Sequence, residues 1–154
     1  MAKRSKIELP SQFSFLCNIP VRITDINYGG HVGNDSVLSI IHEARVQYLN
    51  SLGVSELNFG GPGLIMTDVT IEFKRESFYG DSLEVSVTAA DFGRVGFNIY
   101  YLLQKVTETG ERIAIAHAVT GMVCYDYTVK KVSIIPAHIH NRMSQVYIPL
   151  IKYR

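Results

Sequence analysis

The order of the predicted elements constrains the fold of this chain more than any other feature. One strand is predicted first, one long amphipathic helix follows it, and four strands joined by short turns complete the pattern. The apolar positions of the helix recur at spacings of three and four from Val37 to Leu49. A single helix with an antiparallel set of strands is typical of an α+β arrangement, in which a curled sheet covers the apolar face of the helix.

A glycine-rich loop leads into this helix. Residues 24–35 contain three glycines, two asparagines and two aspartates, which favour turns and positive φ angles. We expect Asn34, Asp35 or Ser36 to cap the start of the helix, and Gly53 to end it. The helix therefore begins at a loop whose backbone is able to approach a bound group closely.

The four later strands are separated by turns at 79–81, 92–94 and 108–110. The first of these strands is expected to place alternate residues on one face: Ile65, Thr67, Val69, Ile71 and Phe73. A short helix is predicted after Pro136. An exposed strand at the edge of such a sheet favours pairing with a second copy of the chain.

The length of 154 residues indicates one folded domain. We expect an N-terminal arm over residues 1–14, a single domain over residues 15–140 and a C-terminal tail over residues 141–154. The 15 basic and 14 acidic residues give a formal charge of +1, which argues against a nucleic-acid or anionic-membrane partner. No apolar run approaches the roughly 20 residues that span a bilayer.

The two cysteines, Cys17 and Cys124, lack the spacing of metal ligands and lie within apolar runs. They fit buried thiols in a reducing compartment. The sequence therefore predicts a cytoplasmic protein without a metal site.

The loop and helix together carry a longer motif. It consists of Asp25, Asn27, Gly30-His31-Val32-Gly33-Asn34, Glu43-Ala44-Arg45 and Leu52-Gly53. With the Tyr-Gly-Asp turn at 79–81, this pattern resembles the hotdog-fold thioesterases, specifically the acyl-CoA thioesterase family similar to 4-hydroxybenzoyl-CoA thioesterase. The resemblance covers about residues 15–140 and implies an antiparallel curved sheet of about five strands around one long central helix.

The resemblance implies hydrolysis of an acyl-CoA or acyl carrier protein thioester. This reaction builds negative charge on the carbonyl oxygen, and the free N–H groups and dipole of a helix start can stabilise it near Gly33 and Asn34. The family also implies substrate contacts from the strand that carries Gly63 and Thr67. In hotdog dimers these two regions come from different subunits. The implied assembly is a homodimer or tetramer with a shared active site and no cofactor, because coenzyme A is part of the substrate.

The chain departs from the family pattern at the residue expected to carry the chemistry. The second loop aspartate of the family, its usual base or nucleophile, falls at Asn27, and an amide performs neither role. His31, Asp35 and Glu43 are candidate bases in its place. Asn27 is then a candidate for holding the attacking water or the thioester oxygen.

Each candidate base also has a structural interpretation. His31 fits an ordinary loop residue, and Asp35 complements the helix dipole. Glu43 fits an ion pair with Arg22 or Arg45. The loss of the aspartate leaves open a second function, a non-hydrolytic acyl-thioester binding protein. A third possibility is a hotdog dehydratase, in which a histidine and a carboxylate meet across the dimer, although the loop resembles the thioesterase pattern better.

An acyl group also needs an apolar slot, and several residues fit its walls. They are Val37, Ile40, Ile41, Ile65, Phe73 and Phe97, all of which fit a plain core equally well. Basic residues near turns or strand ends fit either contacts with coenzyme A phosphates or a solvated surface: Lys74, Arg75, Arg94, Lys130 and Lys131.

Overall fold

The computed structural model of the chain describes residues 6–145 and 148–149. The remaining parts of the predicted arm and tail, residues 1–5, 146–147 and 150–154, lie outside the described residues. The strands are β1 (Gln12–Phe13), β2 (Phe15–Pro20), β3 (Gly63–Phe73), β4 (Ser82–Ala90), β5 (Gly96–Val106), β6 (Arg112–Asp126), β7 (Lys131–Val132) and β8 (Ile148–Pro149). The helices are a 3-10 turn (Ile23–Asp25), α1 (Asn34–Ser51) and α2 (Ala137–Gln145).

The main sheet confirms the predicted hotdog arrangement. Five strands lie in the order β2-β4-β5-β6-β3, every neighbouring pair is antiparallel, and the short β7 adds to β6. The helix α1 lies against the β2 and β4 side of this sheet. The apolar face predicted from its periodicity, including Ile41, Ala44 and Leu49, is buried in the core.

A β-bulge corrects the predicted alternation along β3. Met66 pairs with Met122 and Asp68 with Gly121, so Thr67 is an extra residue without an opposite partner. One extra residue exchanges the two faces of a strand. Ile65 therefore lies on the face opposite to Val69, and the prediction that they share a face is wrong. The bulge could not be predicted from the sequence, because the only strand signal in this segment is the alternation of apolar and polar side chains.

Both ends of the described part of the chain contribute to packing. In the arm, Phe13 is buried against Leu102, and the backbone N–H of Ile7 donates a hydrogen bond to the carboxylate of Glu72. The predicted short helix forms as α2 and buries Ile139 and Met143, so packed residues extend past position 140.

A partly buried ion pair joins α1 to the loop before β3. The Arg45 guanidinium donates from Nε to the Glu56 carboxylate at 2.6 Å and from a terminal nitrogen to the Tyr101 hydroxyl at 3.3 Å. Burial raises the pKa of Tyr101, so its hydroxyl stays neutral. The backbone carbonyl of Glu56 accepts a hydrogen bond from Leu64 N–H at 2.7 Å. The alternative pairing of Glu43 with Arg45 is wrong, because Arg45 points inward to Glu56.

Candidate active site

The start of α1 leaves its first N–H groups available. Gly33 occupies the N-cap position in extended conformation, and no side chain caps the helix. The prediction that Asn34, Asp35 or Ser36 would cap it is wrong, because the helix already begins at Asn34. Within the described chain, the N–H groups of residues 34–36 have no hydrogen-bond acceptor. These groups and the helix dipole favour a carbonyl oxygen or an anion here.

The loop before the helix orients Asn27. Its backbone carbonyl accepts from Gly30 N–H at 3.1 Å, and Gly30 takes a φ of +82°, which favours glycine. Its side-chain Oδ1 accepts from Gly29 N–H at 2.9 Å. Because Oδ1 is engaged by the loop, the Asn27 amide offers its Nδ2 donor to a ligand.

Asp25 stabilises this loop through hydrogen bonds. Its buried carboxylate accepts from the backbone N–H of Arg22 at 2.8 Å and from the Arg22 guanidinium at 3.1 Å. This hydrogen bond raises the pKa of Arg22. The backbone carbonyl of Asp25 accepts from Gly33 N–H at 3.0 Å, which ties the loop to the helix start. Asp25 thus orders the loop by bonding to neighbouring backbone groups.

His31 has one ring nitrogen engaged and one directed toward the site. Its Nδ1 lies 3.1 Å from the carbonyl oxygen of Val32, which accepts only from a protonated Nδ1. The neutral ring therefore keeps its lone pair on Nε2. Nε2 lies 3.8 Å from the Glu76 carboxylate. The sequence analysis missed Glu76, because an exposed acidic residue after a strand has no pattern that marks it.

Asp35 folds back over the helix start. A Cβ atom on Gly33 would lie 2.6 Å from the Asp35 Oδ1 and 3.5 Å from the Asn27 Cβ, so only glycine fits without displacing the carboxylate. A Cβ on Gly29 would lie 3.3 Å from both the Asn27 Oδ1 and the His31 Nε2. The structure thus brings Asn27, His31 and Asp35 together.

A pocket of about 220 Å³ opens beside this group. Polar residues on its wall include His31 and Asn34, and apolar residues include Val37, Phe73 and Ile115. A small acyl group fits such a mixed lining, in which apolar contacts hold the chain and a few polar groups orient it.

Glu43 lies away from this pocket. It follows Asp35 by eight residues, which is about 12 Å along a helix. Its carboxylate accepts from the Gln47 amide at 2.9 Å and lines a different groove, between α1 and β2. Within one protomer Glu43 and Asp35 therefore do not act on the same atom.

Gly63 and Thr67 also lie apart from the helix start in one protomer. Gly63 begins β3, whose last residue, Phe73, lines the pocket about 33 Å away at the usual rise of a strand. The Thr67 hydroxyl donates to Asp68 at 2.8 Å within the bulge. The predicted substrate-binding residues thus divide into Gly33 and Asn34 at the site, and Gly63 and Thr67 along the sheet edge.

The cysteines do not take part in this site. Burial raises the pKa of both the Cys17 and the Cys124 thiol to about 11, so both stay protonated at neutral pH. Among the residues that the structure describes, no group of three or more side chains could hold a metal ion. Over the same residues, no helix is long and apolar enough to cross a membrane.

Comparison with known proteins decides the family. The profile of the thioesterase-like superfamily matches residues 21–143. The chain belongs to the thioesterase-like superfamily. A curated superfamily relative, 1,4-dihydroxy-2-naphthoyl-CoA hydrolase of Nostoc punctiforme, is 32% identical over 132 residues, which cover 82% of this chain and 84% of that protein. The protein of the same name from Synechococcus elongatus is 26% identical and covers 79% of this chain and 88% of its own length. The prediction that this chain is an acyl-CoA thioesterase is confirmed.

Solved structures of the superfamily share the architecture. A 4-hydroxybenzoyl-CoA thioesterase variant complexed with 4-hydroxybenzoyl-CoA matches with a TM-score of 0.77 at 16% identity and covers 84% of this chain and 98% of that one. A 1,4-dihydroxy-2-naphthoyl-CoA thioesterase from Synechocystis matches with a TM-score of 0.75 at 23% identity and covers 87% and 96%. These likenesses confirm the predicted hotdog fold.

Proposed function

We propose that this protein hydrolyses a coenzyme A thioester whose carbonyl oxygen binds at the start of α1. The observation that carries the proposal is the uncapped helix start, which adjoins both a pocket and the oriented groups of Asn27 and His31. The curated relatives are named as hydrolases of a coenzyme A thioester, which supports coenzyme A as the thiol part of the substrate.

In the proposed reaction His31 is the general base. Its Nε2 removes a proton from water as the oxygen attacks the thioester carbon. The Glu76 carboxylate, 3.8 Å away, stabilises the positive ring that results. The tetrahedral intermediate then expels the coenzyme A sulfur, which takes the proton back from Nε2. The products are a free acid and a free thiol.

Asn27 is proposed as a donor to the oxyanion. Its Nδ2 joins the N–H groups of residues 34–36, so the negative charge meets preorganised dipoles rather than solvent. This role does not require the aspartate that the family pattern carries at this position, since water and not a side chain is the nucleophile. All steps use this chain and water, and we propose that no cofactor takes part.

Release of free thiol tests the proposal directly. The wild-type protein, incubated with a panel of aromatic, short and long acyl-CoA thioesters, is expected to release coenzyme A from at least one class at a rate far above the uncatalysed rate. Binding without release from every member of the panel would instead support the acyl-thioester binding protein and would refute hydrolysis.

We further propose a homodimer formed through β3. Within the described residues β3 pairs only with β6, and its apolar residues Met66, Val69 and Phe73 are exposed. A long unpaired edge with apolar side chains is a template for a second strand. Antiparallel pairing of two β3 strands places Gly63 of each beside the Phe73 end of the other. Gly63 then reaches the partner's helix start, which accounts for its distance from that start in one protomer, whereas Thr67 lies four residues nearer the middle of the interface, opposite the partner's Val69.

This dimer predicts a specific mutational effect. Val69→Lys places a charge in the proposed interface and is expected to halve the mass measured by light scattering to the 17.2 kDa of one chain, with loss of thiol release. Val106→Lys is the matched control, because Val106 is similarly exposed at the end of β5. A monomeric wild type, or a monomeric variant with full activity, would contradict the shared site. Larger assemblies of such dimers remain compatible with it.

We also propose a cytoplasmic location. The two free, buried thiols are consistent with a reducing compartment. The thiol-release assay also tests the alternative substrate, an acyl carrier protein thioester: we expect faster release from the coenzyme A thioester of the same acyl group.

A further inference from the structure

The six apolar residues that the sequence suggests as walls of an acyl slot lie in different parts of the structure. Ile41 and Phe97 are buried in the core, and Ile40 is buried and lines the separate groove between α1 and β2. Ile65 lies on the opposite face of β3, because the bulge at Thr67 exchanges the faces. Val37 and Phe73 alone among the six line the pocket beside His31.

Phe73 is the more accessible of these two residues. Its relative exposure is 50%, whereas Val37 is almost fully buried. Phe73 pairs across the sheet with Ala116, whose methyl group leaves the ring without a large neighbour on that strand. The backbone of the residue after Phe73 is also fixed, because the Lys74 N–H donates a hydrogen bond to the carbonyl of Ile115 at 2.8 Å. The ring is thus presented to the pocket from a fixed strand end.

We propose that Phe73 is a specificity-determining residue that gives this site a preference for flat, aromatic acyl groups over alkyl groups. The inference rests on the proposed thioester hydrolysis. An aromatic acyl group gains offset or edge contacts with the Phe73 ring that an alkyl group of similar size does not make. The pocket of about 220 Å³ has room for a small ring in one protomer.

A matched pair of variants tests this role. Phe73→Leu keeps an apolar side chain but removes the ring, and Phe78→Leu makes the same change at a phenylalanine of similar exposure, 43%, that does not line the pocket. We expect Phe73→Leu to lower kcat/KM for benzoyl-CoA by about three- to tenfold and to leave hexanoyl-CoA unchanged. Phe78→Leu should change neither, and Phe73→Tyr should restore the benzoyl preference. An equal loss on both substrates would overturn the proposal.

A binding measurement keeps this inference independent of turnover. The chain contains no tryptophan, so Phe73→Trp introduces a single tryptophan in the pocket and Phe78→Trp introduces one outside it, and each is excited selectively over the nine tyrosines. In chains that also carry His31→Gln, which slows hydrolysis, benzoyl-CoA is expected to quench Phe73→Trp more strongly than coenzyme A alone, with no such difference for Phe78→Trp. Equal quenching by the two ligands at position 73 would reject the proposed contact. Absence of thiol release by the wild type would instead reject the proposed function.

Discussion

Replacing His31 by glutamine is expected to lower kcat for thioester hydrolysis by about 100-fold or more, the usual contribution of a general base. Glutamine retains a polar side chain but cannot accept a proton from water. The expectation depends on the tautomer that the loop selects, because the bond from Nδ1 to the Val32 carbonyl leaves Nε2 as the basic nitrogen. Steady-state thiol release with one good substrate, at saturating concentration, measures the effect.

Variants of the two other candidate bases, Glu43 and Asp35 on α1, provide the comparison for His31→Gln. Glu43→Gln should keep the wild-type kcat, because the Glu43 carboxylate lies two turns along the helix and bonds to Gln47. Asp35→Asn should have a smaller effect than His31→Gln, since Asp35 adjoins the helix start without being the proposed base. A 100-fold loss in Asp35→Asn together with a nearly normal His31→Gln would transfer the base role to Asp35.

Much of this fold could be predicted from the sequence because its signals are local. Spacings of three and four identify α1, and turn residues separate β3 to β6, so element type follows from neighbours along the chain. The loop of residues 24–35 is also predicted to begin the candidate site, because glycines and a helix start are both local features. The same locality explains why Asn27, His31, Gly33, Asn34 and Asp35 lie near one another, since all belong to this loop and the first turn of α1.

Features that depend on contacts between distant segments could not be predicted. Glu76 lies beside His31 although 45 positions separate them, and Glu56 reaches Arg45 from a loop beyond the helix. No periodicity links such partners. The placement of Glu43 illustrates another limit: helical spacing puts it on the same side of α1 as Asp35, but the rise per residue carries it to a different groove.

Replacing Arg45 by methionine is expected to destabilise the folded protein by about 3 kcal/mol, the lower end of the cost of breaking a buried ion pair. The Arg45 side chain is only 7% exposed, whereas the Glu56 side chain is 29% exposed and keeps some contact with water. Methionine fills much of the volume but leaves the Glu56 carboxylate and the Tyr101 hydroxyl without the guanidinium. Urea unfolding, at one protein concentration because the proposed dimer couples stability to concentration, measures the loss.

A double-mutant cycle distinguishes a lost pair from poor packing. Arg45→Met leaves the Glu56 carboxylate without a cationic partner. If the stability is lost for this reason, Glu56→Leu in the same chain should restore part of the free energy of unfolding, because an apolar pair contains no buried charge that needs a partner. Lys105→Gln is the control at a longer, partly exposed pair: its ammonium lies 3.6 Å from the Asp81 carboxylate, against 2.6 Å between Arg45 and Glu56, and its loss should cost about 1 kcal/mol or less. Strictly additive losses in the double variant would show that Arg45 stabilises the fold independently of Glu56, through contacts such as its bond to the Tyr101 hydroxyl. Recovery would identify the Arg45–Glu56 pair as the link that holds the loop before Gly63 against α1.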